Sequence, residues 1–454
     1  MKDHQELFVR GVFLSILLIA LGFAAGCGGS VATSTASSGG TTSTGSGSGS
    51  GTGSGNGSNV LALAVNGGPE ASTGFVYQNA AFASATICAP GSTSNCVTID
   101  NLLVDTGSTG LRVFASAVAS LNLPAINATN GSGAYDCISF VDNSFLWGPV
   151  ERADVTLGGE TASSLPVQVI SSANNGIPSS CSNGSTENDN SVELLGANGI
   201  LGVGNEPSDC FFNGGSACDP SSGLSSPPSP AYYTCSGSKC SPAFIASANQ
   251  VANPVVLFAT DNNGVIVELP SASTSAASLT GSLVFGIGTE SNNQLPSNAT
   301  VFTLACDAFT TVFDGQTFGV TDAATCAGPY SFIDSGSNGL YFPNVANIPE
   351  CSSNIAEGEL DGFYCPTTTE TLSATMEGED GASHATSFSV GNADDLLLNE
   401  GTASDAVQPT MAGTNPVGYG FDWGLPFFYG VNVYSSIDGQ KVPSGAPTAP
   451  WWAY

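Results

Sequence analysis

The stretch "LLVDTGSTGLRVF", residues 102–114, places one acid, Asp105, behind three aliphatic residues and ahead of a Thr-Gly-Ser turn. An acid at the end of an apolar run either opens an exposed turn or sits in a buried one, where it needs partners. A near-repeat occurs in the second half of the chain: "YSFIDSGSNGLYFP", residues 330–343. Aligned on Asp105 and Asp334, both read apolar, apolar, Asp, Ser/Thr, Gly, Ser, x, Gly, Leu, the second opening with Phe332-Ile333. One Asp-Ser/Thr-Gly-Ser is weak evidence in a chain so rich in Ser, Thr and Gly. Two copies with the same apolar approach and the same Gly-Leu exit indicate two related lobes, each contributing one acid.

Outward from these copies the pattern is short β-branched and aromatic runs punctuated by Gly, Asn, Ser and Pro. "VLALAV", "ADVTLGG", "PVQVI", "GSLVFG" and "TTVFDG" are examples. Periodicity near 3.6 is scarce, with "SPAFIASANQVAN" (241–253) the best helix candidate, so an all-β protein with a few short helices is expected. The chain of 454 residues is long enough for two lobes with real cores, which we place at 60–253 and 254–454.

If the two turns face each other, Asp105 and Asp334 cannot both ionise easily, and one proton is held between them. Such a pair can activate a water and protonate a carbonyl oxygen, hydrolysing an amide with neither metal nor covalent intermediate. Gly107 and Gly336 let backbone approach backbone, and Ser108 and Ser337 can hydrogen-bond their carboxylates.

At this point the chain resembles the pepsin-like aspartic peptidases, and an uncharacterised group of bacterial lipoproteins of that type with the same "DNLLVDTGS" phrase. The family's paired signatures correspond to Asp105-Thr106-Gly107-Ser108 and Asp334-Ser335-Gly336-Ser337. Its apolar-apolar-Gly element, which crosses behind each catalytic loop, is matched by Ile200-Leu201-Gly202 in "NGILGVG" and more weakly by Trp423-Gly424 in "FDWGLP", where Asp422 replaces an apolar residue. The resemblance spans most of residues 70–440. It implies a bilobed fold of two β-barrel-like lobes, Asp105 and Asp334 as the catalytic pair, Thr106 and Ser335 as braces between the loops, a polypeptide substrate or protein ligand, and no cofactor or metal.

Two positions depart from the family. A tyrosine in a flap hairpin is expected near Phe140 or Val141, in "GAYDCISFVDNSFLWGPVERADVTLGG", with Cys137 close by. The tryptophan that commonly partners that tyrosine is Arg112. Two other readings therefore stay open: a pepsin-like lobe pair that binds without effective catalysis, and a disulfide-rich adhesin or glycan binder of another β-fold.

Residues 1–27 combine Lys2 and Arg10 with an apolar run and small residues before Cys27, as in a secretory signal. The small-small-Cys ending resembles a bacterial lipoprotein site with Cys27 lipidated; ordinary cleavage leaving a free thiol is the alternative. Gly28 after the cysteine favours the outer membrane by the same resemblance. Residues 28–59, nearly all Ser, Gly and Thr, form a flexible tether with a reach of roughly 30 Å. The other twelve cysteines of an exported chain read as up to six disulfides, with Cys88–Cys96 across a hairpin the most local.

The net charge is −31, and beyond the signal the basic residues are Arg112, Arg152, Lys239 and Lys441. Nucleic acid is therefore excluded as a partner. The membrane is reached through the N-terminal lipid alone, and a monomer is expected. The acidity reads first as a solvated surface and, compatibly, as tolerance of acid, because protonated carboxylates would leave few charges to repel. His384 reads as an exposed loop residue, Asp394-Asp395 and "EGEDG" (377–381) as solvated loops, and Trp451-Trp452 as packing against a lobe.

Overall fold

The structure is a computed structural model that describes residues 59–454, apart from 141, 173–175, 183, 186–187, 213, 323–325, 352–359, 361, 400 and 416–419. The expected signal, Cys27 and the expected tether up to residue 58 lie outside the described residues. The fold is all-β. Among the described residues the helices are single turns, such as Ala393–Leu397, and 3-10 segments between strands.

The first half opens with the strands β1 (Val60–Gly67), β2 (Tyr77–Cys88), β3 (Cys96–Asp105), β4 (Thr109–Phe114), β5 (Ala134–Ser139), β6 (Phe145–Leu157), β7 (Glu160–Ile170) and β8 (Gly199–Val203), and four short ones follow. β1 alternates between more and less buried positions, the mark of a strand with one face on the core. Its partners are β2 and, across the molecule, Leu279–Phe285, with Val60 opposite Val284. A single sheet thus runs through both halves, and the shared core extends from Val104, Leu111 and Leu201 to Phe302, Phe342 and Trp423. In the second half Phe342 and Phe421 stack at 5.1 Å, and Phe421 stacks on Trp423 at 5.1 Å. Each such ring contributes about 1.5–3 kcal/mol by burial.

β3 explains the opening acid. It begins half-exposed at the Cys96 end, and Leu102, Leu103, Val104 and Asp105 are then buried in succession as the strand passes into the interior. The same repeat recurs at Phe332–Ile333, with Asp334 following in the turn. Both halves are organised around this unit, giving the bilobed arrangement expected.

Six disulfides pair all twelve cysteines beyond Cys27. Cys88–Cys96 joins directly opposed residues of β2 and β3, the hairpin bridge read from the sequence. Cys137–Cys181 ties β5 to a distant turn. These bridges fit an exported protein. No helix among the described residues is long and apolar enough to cross a membrane.

Three local expectations are corrected. Within 241–253 the helix is reduced to a 3-10 turn, Ser247–Asn249. Ile245, Gln250, Val251 and Asn253 are all buried there; Gln250 bonds to Ile245 O, a carbonyl that a helix would use itself, and Asn253 bonds to Gly204 O outside the segment. His384 lies on the strand Ser383–Val390, still exposed, with its ring edge-on to Tyr454. Asp394 and Asp395 occupy the first turn of Ala393–Leu397, their N–H groups capped by Asn392. Trp451 and Trp452 are buried in the strand Trp451–Ala453, as expected.

Candidate active site

Each acid is positioned by three strands. In the first lobe β8 runs between β3, parallel to it, and β4, antiparallel to it, with Asp105 opposite Gly202 and Leu111 opposite Leu201. In the second, Asp422–Trp423 runs between Phe332–Ile333 (parallel) and Leu340–Phe342 (antiparallel), with Ile333 and Leu340 both opposite Trp423. Ile200-Leu201-Gly202 and Asp422-Trp423-Gly424 are thus equivalent crossings behind equivalent loops. Both glycines are required by space: a β-carbon on Gly202 would lie 2.8 Å from the backbone of Thr109 and Gly110, and one on Gly424 would lie 2.1 Å from Gly339 O.

The two loops meet tip to tip. Thr106 N–H donates to Ser335 Oγ at 3.1 Å, and Ser335 N–H donates to Thr106 Oγ1 at 2.9 Å. Each hydroxyl then donates across the lobes, Thr106 Oγ1 to Ile333 O (3.2 Å) and Ser335 Oγ to Val104 O (2.7 Å). This reciprocal lattice joins the carbonyl before each aspartate to the hydroxyl after the other, so neither loop can shift alone.

Asp105 and Asp334 are brought together by that lattice. Gly107 N–H reaches the inner oxygens of both, 2.8 Å from Asp105 Oδ1 and 3.1 Å from Asp334 Oδ1. Gly336 N–H donates to Asp334 Oδ1 at 2.7 Å. Ser108 Oγ donates to Asp105 Oδ2, and Ser337 Oγ lies 2.8 Å from Asp334 Oδ2. Both carboxyls are fully buried. Burial, then the charge of Asp334 and the hydrogen bond to it, push Asp105 well above the usual carboxylate range. Burial also raises Asp334, while hydrogen bonds from Asp105, Ser337 and two backbone amides draw it back. Asp105 is thus raised further than Asp334, and the two titrate as one pair.

The lobes differ at one pair of positions. Where Ile200 stands in the first crossing, the second has Asp422, 2% exposed, with its Oδ2 2.6 Å from Ser337 Oγ. Opposite these, β4 carries Arg112 and the strand Leu340–Phe342 carries Tyr341.

A family model described as "Protein of unknown function (DUF3443)" matches residues 55–454. The chain belongs to the DUF3443 family. No curated protein is matched by the sequence. Among solved structures, the crystal structure of an aspartic proteinase from Irpex lacteus is similar to this DUF3443 member over 83% of this chain and 93% of that one, at 16% identity and a TM-score of 0.41.

Among the described residues of this DUF3443 member, the hairpin at the expected flap position carries no aromatic residue on Arg112. The hairpin of β5 and β6 is present, with Asp136 opposite Gly148. Its residue on Arg112 is Asp136, not an aromatic residue near Phe140 or Val141. Phe140 is buried instead with Tyr77, Leu103 and Ile200, and Val141 lies outside the described residues. Arg112 is fully buried and donates to Asp136 (2.5 Å), Gln168 Oε1 (2.9 Å), Asp209 (3.1 Å) and Thr109 O (3.1 Å). Burial works against its charge, but the attraction of Asp136 and then Asp209 outweighs it. Burial, then the charge of Asp136, pushes Asp209 well above the carboxylate range, against the opposing pull of Arg112 and Tyr232. Tyr232 Oη donates to Asp209 and accepts from Val251 N–H at 2.7 Å.

Sequence reading singled out Arg112 and Asp422 as departures and missed Asp136, Gln168 and Asp209; the first two carry the signal of an acid or amide inside a strand, while Asp209 lies in a turn and carries none.

Proposed function

We propose that this DUF3443 member is an aspartic-type endopeptidase, one acid from each lobe. The observation that carries the reading is the single amide, Gly107 N–H, within hydrogen-bonding reach of both Asp105 Oδ1 and Asp334 Oδ1. Two carboxyls so placed share a proton and present one acid and one base to the same substrate. In this scheme Asp334 takes a proton from the attacking water, while Asp105 delivers its own to the carbonyl oxygen. The tetrahedral intermediate then collapses as the leaving nitrogen takes the proton from Asp334, and Asp105 recovers one from the new hydroxyl. Thr106 and Ser335 hold the loops in register, and Ser108 and Ser337 orient the carboxyls. The lobe boundary near residue 253, a monomeric state and a polypeptide substrate belong to the same proposal. So does lipid anchoring through Cys27 at the outer membrane, supported by the N-terminal sequence, with export supported by the six disulfides.

A second reading, binding without turnover, is favoured by one observation: both carboxyls are fully buried, and the flap is fixed through the Arg112–Asp136 ion pair. Full-length protein, exported to an oxidising compartment and purified, decides between them. Incubation with an unbiased peptide library from pH 3 to 7 is expected to give cleavage products. Absence of products at every pH, with library peptides retained on the protein, would establish the binding reading instead.

A further inference from the structure

We propose that Asp422 is a third acid of the site, a positioning residue that shares one proton with Asp334 through the hydroxyl of Ser337. This rests on the dyad reading above for its consequence in catalysis, but not for its chemistry.

Ser337 Oγ lies 2.8 Å from Asp334 Oδ2 and 2.6 Å from Asp422 Oδ2, and all three side chains are buried. A serine hydroxyl has one hydrogen, so it donates to one carboxyl and accepts from the other. Two ionised carboxylates would leave one of these short contacts as lone pair against lone pair. A proton must therefore reside on Asp422 or on Asp334. In the first arrangement Asp422 donates to Ser337 Oγ, and Ser337 donates to an ionised Asp334. In the second Asp334 donates to Ser337 Oγ, and Ser337 donates to an ionised Asp422. Conversion moves the Asp422 proton onto Ser337 Oγ while the serine's own proton passes to Asp334 Oδ2. The O–H bonds broken and formed are equal in number, and the serine is neutral at both ends.

The first lobe shows what the device adds. Ser108, the counterpart of Ser337, donates to Asp105, and the crossing behind it offers Ile200 in place of an acid. The titratable groups facing the chain are Asp334 and, beyond it, Asp105 from the other lobe. From the strand Leu340–Phe342 comes Tyr341, opposite Asp422, with its hydroxyl on Asn338 Oδ1. Asp422 in its protonated form turns Ser337 toward Asp334 and makes that residue the base of the pair. Ionised, it withdraws the hydroxyl and leaves Asp334 protonated.

The test is a carbon-13 NMR titration of the Asp334 carboxyl in the full chain, read without substrate, for wild type, Asp422→Asn, Asp422→Ile and Ser337→Ala. Asn keeps the shape and removes the charge; Ile reproduces the first lobe. In both Asp422 variants the upper step of the Asp334 titration is expected to fall by about one pH unit or more. When Asp422→Asn is added to Ser337→Ala as a double variant, the Asp334 titration should not move further. With a cleaved peptide, the acid limb of kcat/KM, where Asp334 must be ionised, should move down by the same amount at unchanged KM. An unmoved Asp334 titration in folded Asp422→Asn and Asp422→Ile overturns the proposal. If the protein cleaves no peptide the dyad reading fails, and the titration still decides this one.

Discussion

A β-carbon on Gly107 would stand 2.5 Å from the carboxyl carbon of Asp334, and the reverse contact is nearly as tight, with Gly336 at 2.7 Å from that of Asp105. Each glycine is thus the floor on which the other lobe's acid rests. Replacing Gly336 by Ala is expected to push the carboxyls apart. Overpacking there costs about 1–3 kcal/mol of stability, and displacing reacting groups by about 1 Å lowers kcat by roughly 10²-fold. Urea unfolding and peptide cleavage measured together check this; an Ala variant with unchanged kcat would mean that the contact is not tight in solution.

Arg112 stands between Asp136 and Asp209 with no exposure of its own. Arg112→Met strands a buried acid pair, and loss of one partner of a buried ion pair costs about 3–5 kcal/mol. The loss should shrink at low pH, where Asp136 and Asp209 both accept protons. Urea midpoints at pH 7 and pH 4 give the comparison. An equal loss at the two pH values would show that Arg112 acts by packing rather than charge.

The buried acids set the direction of the stability curve. Asp105, Asp209 and Glu206 are all held well above the carboxylate range, in each case first by burial and then by a neighbouring acid: Asp334, Asp136 and Asp307 respectively. A folded-state value above the unfolded one means that the native protein binds the proton more tightly. The stabilisation is complete below the unfolded carboxylate range and is lost as pH rises through the raised values. Asp219, lowered first by its hydrogen bonds to Ser221, works oppositely: its contribution is complete above the unfolded carboxylate range and is lost as pH falls below it. The melting temperature is therefore expected to be higher at pH 4–5 than at pH 8, and a maximum near pH 8 would contradict the upward direction of these shifts.

Much of the site was legible because it is repeated. Asp105 and Asp334 share an apolar approach and a Gly-Leu exit, and "NGILGVG" supplies the strand that must cross behind such a loop. Hydrophobic alternation gave the sheet, and an even cysteine count gave the bridges. The polar network behind the loops was illegible for a physical reason: it pairs residues far apart in sequence that no local pattern links. Asp422 meets Ser337 across 85 residues and Arg112 meets Asp209 across 97. A departure from the repeat marked one partner of each pair, while the other looked like an ordinary loop or strand residue. The segment 241–253 misled because its apolar residues serve separate contacts in an extended chain, and its amides bond to backbone.

The most direct measurement is kcat/KM for the fastest-cleaved library peptide with wild type, Asp105→Asn and Asp334→Asn, all shown to fold by circular dichroism. Either substitution removes one of the two proton-transferring groups, so a fall of roughly 10²–10⁴-fold is expected in both. Wild-type activity in either variant would contradict a shared Asp105–Asp334 site.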